Sequence, residues 1–254
     1  MTDTTLITGA TGGLGQAFAR REASLGHRLA LTGRRTDVLD QLAGELRRRY
    51  GVEVDTFALD LADHDARQHL IDRLAERELT VRTLINNAGF ASIADTRDTD
   101  ADRLLGQVEV NCAALTHLTR AVLPAMLDAR RGTIINIAST AAFQPIPGMA
   151  VYAATKSFVL SLSQALWDEV RRDGVRVLAV CPGPTETGFF EAAGASTAMS
   201  SRRTPDDVVA SAYRALDQGR PVVIDGRLNA AMARLARLTP LRVVLPLAKA
   251  VLRH

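Results

Sequence analysis

Short runs of β-branched and aliphatic residues alternate along this chain with longer segments whose apolar positions recur at helical spacing. The apolar runs at 4–8, 28–32, 52–58, 82–86, 132–138, 175–181 and 221–225 predict strands. Between them, segments 13–26, 35–50, 64–78, 101–128, 150–173 and 205–218 predict helices. Alternation of this kind implies parallel strands joined by right-handed crossovers, with helices on both faces of the sheet. The reading is a doubly wound α/β fold of about seven strands, in one domain over residues 1–227 that no Pro/Gly/Ser linker interrupts. Such a sheet takes ligands at the carboxyl ends of its strands, near the point where strand order reverses. Residues 228–254 depart from the alternation. Apolar and basic residues follow one another there at helical spacing, and Pro240 and Pro246 are expected to break the run. This amphipathic extension is expected to pack on the same domain, over the substrate cleft or at a subunit interface. A membrane surface suits the same pattern but is the rarer outcome.

Composition narrows the class by exclusion. The net charge of +3 comes from 31 Lys+Arg against 28 Asp+Glu, and no run of five like charges occurs, so nucleic-acid binding gets little support. No stretch of 18 apolar residues exists to span a bilayer. The two cysteines, Cys112 and Cys181, lie in apolar contexts and read as buried free thiols of a reducing compartment. With a strand-like run starting at Thr4 and no room for a signal peptide, the expected location is cytoplasmic. The five histidines show no ligand spacing, so no metal is expected.

The chemistry begins with an anomaly of usage. The chain holds two lysines, Lys156 and Lys249, and writes arginine everywhere else, yet one lysine stands four residues after a tyrosine. Lys is a compact point charge that can lie beside a phenol and lower its pKa, which a planar Arg fork does less well. Residues four apart share a helix face, so Tyr152 and Lys156 read as general acid–base equipment. Upstream, the first strand runs into Thr8-Gly9-Ala10-Thr11-Gly12-Gly13-Leu14-Gly15 and a helix follows, an arrangement that brings a pyrophosphate to a helix N-terminus. The second strand ends Gly33-Arg34-Arg35 instead of in an acidic residue. Two arginines suit a ribose 2′-phosphate, which favours NADP over NAD.

With these residues the chain resembles the short-chain dehydrogenase/reductase family in its single-domain branch, a Rossmann-type fold. The resemblance runs from Thr5 to about Asp225. It rests on TGATGGLG, Asp60-Leu61, Asn86-Asn87-Ala88-Gly89, Asn111, Ser139, Tyr152-x-x-x-Lys156 and Pro182-Gly183, in the family's order. The glycines fit the spacing of this branch (Gly9, Gly13, Gly15) and equally that of the longer epimerase-like branch (Gly9, Gly12, Gly15); Asn-Asn-Ala-Gly and the chain length favour the first. The resemblance implies that Tyr152 exchanges the proton with a carbonyl or alcohol oxygen, that Ser139 orients that oxygen, and that Lys156 binds the nicotinamide ribose and stabilises the phenolate. Asn111 would hold a water linking Lys156 to solvent. Gly9, Thr11, Gly12, Gly13, Leu14 and Gly15, with Arg34, Arg35, Asp60, Leu61, Asn87, Ala88, Gly89, Pro182, Gly183, Thr185 and Thr187, would line the cofactor. Residues 188–204 have lid composition. Phe189, Phe190 and Phe143 are substrate candidates, and Phe90, Ile146 and Met149 add to an apolar pocket. The expected activity is NADPH-dependent reduction of an apolar ketone, aldehyde or oxoacyl compound. The alternatives are an NAD-dependent alcohol dehydrogenase and a non-catalytic NADP-binding sensor or scaffold. Family habit implies a homodimer or homotetramer built through helices 101–128 and 150–173.

Overall fold

A computed structural model describes residues 2–194 and 203–253, with backbone only at residues 190–191 and 250–253. Seven strands, β1 (Thr2–Ile7), β2 (Arg28–Gly33), β3 (Val54–Ala58), β4 (Leu79–Asn86), β5 (Gly132–Ile137), β6 (Val175–Cys181) and β7 (Val222–Ile224), form one sheet in the order β3-β2-β1-β4-β5-β6-β7. Every pairing is parallel. All seven predicted runs are strands of this sheet. The order reverses between β1 and β4, so the crevice at the carboxyl ends of these two is the natural ligand position.

Helices α1 (Gly13–Ser24), α2 (Thr36–Tyr50), α3 (His64–Glu76), α4 (Ala101–Val108), α5 (Leu115–Asp128), α6 (Ala150–Val170), a single turn α7 (Phe189–Ala192) and α8 (Pro205–Asp217) follow the strands in alternation. Successive strand residues face opposite sides, so neighbours in β1 feed different cores. Ile7 packs with Phe18 of α1, Leu39 and Leu46 of α2 and Val208 of α8. Leu6 packs on the other face with Phe57, Leu118 and Met126 of α5 and Leu166 of α6. Phe18 and Phe57 are fully buried. Each contributes about 1.5–3 kcal/mol relative to exposure.

Two expectations need correction. The predicted helix 101–128 is not continuous α-helix: a π-helical stretch, Glu109–Ala114, separates α4 from α5. The extra residue per turn redirects the side chains on either side, which period counting does not detect. The C-terminal extension folds as α9 (Arg227–Leu238) and α10 (Leu241–Arg253), separated by Thr239 and Pro240. Pro246 lies inside α10, past its first turn, so the helix continues without the bond that the missing N–H would have made to the Arg242 carbonyl.

Candidate active site

Three helices begin on side-chain caps. Asp63 accepts from Asp65 and Ala66 ahead of α3, Asp100 from Arg103 ahead of α4, and Thr204 forms a capping box with Asp207 ahead of α8. Helix α1 begins at Gly12 with no side-chain cap and no acidic residue in its first turn. Its first-turn N–H groups and positive dipole end therefore have no side-chain acceptor at the cap. The turn ahead of it is held tightly. Gly9 has φ +63° and a Cβ there would sit 2.8 Å from the Ala88 Cα; one at Gly15 would collide with the Gly9 carbonyl. Asn87 closes the arrangement by donating from Nδ2 to the Thr8 and Gly9 carbonyls at 2.9 and 3.0 Å. Thr8 Oγ1 accepts from the Asn87 and Ala88 amides, both at 3.0 Å. Asn87 thus clamps the glycine turn onto β4.

Arg34 and Arg35 emerge beside this turn. Arg35 Nη2 donates to the Thr11 carbonyl at 2.6 Å, while the exposed Arg34 lies 3.7 Å from Asp60. Asp60 also accepts from the Ala62 amide at 2.9 Å, an Asx turn at the end of β3. Leu61 is buried beneath it. On the far side, the 182–187 loop returns to α1, where Thr187 stands against Gly13. Thr185 Oγ1 donates to the Gly183 carbonyl at 3.0 Å, and the Pro182 carbonyl accepts from the Thr140 amide.

The four residues of expected chemistry converge past the ends of β4 and β5. Tyr152 and Lys156 lie buried on one face of α6, with Lys156 Nζ 5.8 Å from the Tyr152 ring centroid. The Tyr152 hydroxyl lies beside Ser139, whose Oγ accepts from the Ala141 amide at 3.1 Å. Lys156 Nζ donates to the Ile137 carbonyl at 2.6 Å. Asn111 sits in the π-helical stretch, donating to the Phe90 carbonyl and Thr155 Oγ1 and accepting from the Phe90 amide. A Cβ at Gly89 would lie 3.0 Å from Asn111 Oδ1 and 3.3 Å from Lys156 Nζ. The bare glycine therefore lets both groups pack close against its backbone.

The electrostatics differ from the sequence expectation of a phenol acidified by its lysine. Burial dominates: it pushes the Tyr152 phenol up to about 12, with the neighbouring Ser139 as the opposing influence. Burial also brings Lys156 down to about 8, against the pull of the Cys112 and Cys181 thiols. Those thiols are free and buried. Burial raises them to about 11 and about 12 respectively.

Apolar side chains wall the phenol. Ala91, Ala141, Met149 and Ala193 pack with Tyr152, and Ile93, Ile146 and Phe189 lie against them. The Phe189 ring is 5.5 Å from that of Tyr152. Phe143 packs against the cluster of Ala142, Val159, Leu160 and Cys181, with the Arg237 guanidinium 4.8 Å over its ring. Phe90 lies under the Arg103 guanidinium. Of the expected lid, residues 195–202 and the Phe190 side chain lie outside the described residues.

Several supporting residues escape sequence reasoning. Asn86 donates to Thr119 and Asn136, and Asn136 to Ser163, a buried polar chain that ties β4 and β5 to α5 and α6. Asn136 was detectable as an amide inside an otherwise apolar strand. Arg203 and Asp225, paired at 2.9 and 3.0 Å, left no local signal. Among the described residues no group of three His, Cys, Asp or Glu is placed to hold a metal, and no helix is long and apolar enough to cross a membrane.

A profile of the family described as short chain dehydrogenase matches residues 3–198. The chain belongs to the short-chain dehydrogenase family. It is an oxidoreductase of that NAD(P)-dependent family. Sulfoacetaldehyde reductase 2 of Chromohalobacter salexigens is 43% identical over 191 residues, which cover 74% of this chain and 75% of that protein. The NADP-dependent 3-hydroxy acid dehydrogenase of Salmonella typhi is 35% identical over 218 residues, covering 82% and 86%. A solved short-chain dehydrogenase from Sphingobium yanoikuyae in complex with NADPH superposes with a TM-score of 0.84 at 34% identity, over 94% of this chain and 96% of the other.

Proposed function

We propose that this oxidoreductase uses NADPH to reduce an apolar ketone, aldehyde or oxoacyl compound, with Tyr152 as proton donor. The observation that carries the reading is a buried phenol beside Ser139, within an apolar wall and one helical turn from a buried lysine. The residues present fit a phosphorylated dinucleotide. The bare N-terminus of α1 suits a diphosphate, and Gly12 leaves room, since a Cβ there would have no neighbour nearer than 3.6 Å. Arg34 and Arg35 stand where an adenosine 2′-phosphate needs cations, and no acidic residue takes their place. Asp60 and Leu61 would flank the adenine, Asn87, Ala88 and Gly89 the ribose, and Pro182, Gly183, Thr185 and Thr187 the nicotinamide side. The kinship with an NADP-dependent dehydrogenase and an NADPH-bound neighbour supports the same choice.

When bound, the reduced nicotinamide supplies the hydride to the carbonyl carbon. The remaining work falls to the chain's own side chains. Ser139 donates a hydrogen bond to the carbonyl oxygen and sets it beside Tyr152. A phenol held near 12 stays protonated across the physiological range, so Tyr152 is loaded as an acid and gives its proton to that oxygen. The phenolate left behind is stabilised by the Lys156 ammonium one helical turn away. Asn111 and Lys156, both packed against Gly89, would hold the water that returns the proton. Met149, Ile146 and Phe189 would contact the apolar body of the substrate.

NADPH consumption across a carbonyl panel tests the reading. The panel spans apolar ketones and aldehydes, 3-oxoacyl thioesters, sulfoacetaldehyde and polar sugars. Preference for the apolar members is expected, and turnover of sulfoacetaldehyde or sugars alone would contradict the apolar assignment.

A further inference from the structure

The C-terminal helices carry most of the exposed large hydrophobic side chains among the described residues. Helix α9 turns Ala233 inward and α10 turns Val244 and Ala248 inward, and these three are buried. On the outward side of α9 lie Leu228, Met232, Leu235 and Leu238, exposed by 60–84%. These positions recur every three or four residues and share one stripe. Leu241, Val243 and Leu247 of α10 are exposed as well. Exposed leucines in such number mark an interaction site rather than ordinary surface.

Charge identifies the occupant. From Gly226 to His254 the chain carries six basic residues, Arg227, Arg234, Arg237, Arg242, Lys249 and Arg253, and no acidic one. The whole protein has a net charge of only +3, so the excess is concentrated here. Arg227 and Arg234 border the apolar stripe of α9 on one side and are exposed, as is Arg242. A second copy docked about a two-fold axis would set this acid-free patch against itself, opposing like charges at the contact. An anionic bilayer meets both features: leucines enter the acyl boundary while arginines reach the headgroups. We infer that α9 and α10 form a peripheral docking surface for anionic membranes. The inward side of α9 carries Arg237 over Phe143 and Asn229 against Gly183, so docking brings the segments next to the candidate active site toward the lipid.

The test is co-sedimentation of the full chain with vesicles of phosphatidylcholine alone or doped with phosphatidylglycerol. Binding to the anionic vesicles at least about tenfold tighter, and reversed by salt, is expected. Two variants separate the contributions. Met232→Asp/Leu235→Asp removes the apolar stripe, and Arg227→Glu/Arg234→Glu/Arg242→Glu reverses the charge. Each should weaken binding at least about tenfold, while the thermal melt and the oligomeric state by light scattering stay unchanged. Equal sedimentation of wild type and both variants overturns the inference. So does a smaller assembly size in the apolar variant with no loss of vesicle binding, which would assign the face to a subunit contact. Sedimentation requires no turnover, so its failure is distinguishable from failure of the proposed carbonyl reduction.

Discussion

Arg203 is the perturbation with the clearest structural magnitude. Its guanidinium donates from Nε and Nη2 to the two oxygens of Asp225, a carboxylate with no solvent exposure. The only other side chain donating to that carboxylate among the described residues is Ser211, at 2.7 Å. The backbone of Arg203 meanwhile holds the 182–187 loop, donating to the Pro184 carbonyl and accepting from the Glu186 amide, both at 3.0 Å. Arg203→Met strands a buried negative charge. Removing one partner of a buried pair costs about 3–5 kcal/mol. Arg203 is itself 40% exposed and Ser211 remains, which reduces the figure here. We expect a loss of about 2–4 kcal/mol. At about 2–4 °C per kcal/mol for a chain of this length, the melting temperature falls by about 5–15 °C. The assay is thermal unfolding by circular dichroism, with Arg203→Met/Asp225→Asn beside the single variant. The double variant should recover at least half of the loss, because the uncompensated charge is gone. A single variant that melts within about 2 °C of wild type, or a double no better than the single, refutes the argument.

Two further outcomes concern the cofactor and the proton. Arg34→Ala should raise the KM for NADPH at least about tenfold and leave that for NADH within about twofold, since a charged phosphate contact contributes about 1.5–3 kcal/mol. Equal effects on both cofactors would remove the NADP assignment. Because burial holds Lys156 near 8 and Tyr152 near 12, the ammonium is lost first as pH rises while the acid stays loaded. The reduction rate should therefore decline above a pH of about 8, and the slower rate of Lys156→Met should be flat across that range. A decline that persists in the variant would place the titration elsewhere.

The sheet was legible because it is written locally. A parallel strand buried on both faces is an apolar run, and seven of them stand out between helical segments. The glycine turn and the Tyr152–Lys156 spacing are likewise short-range features. What escaped depends on partners distant in sequence or on hydrogen-bond register. The π-helical stretch around Asn111 changes the ladder without changing the hydrophobic period. Arg203 finds Asp225 across 22 residues, and Thr8 reaches the Asn87 amide across 79. The direction of the Tyr152 shift failed for the same reason: a lysine four residues away is visible in the sequence, whereas the burial that outweighs it is a property of the folded chain.

The central claim is that Tyr152 delivers the proton, and Tyr152→Phe tests it with the loss of one oxygen atom. Steady-state reduction of the best carbonyl from the panel should fall by about 10²–10⁴-fold, the range of a lost general acid. NADPH binding, read by the quenching of protein fluorescence or the shift in melting temperature, should stay at the wild-type value. Turnover within about tenfold of wild type, with binding intact, would show that the proton comes from another group.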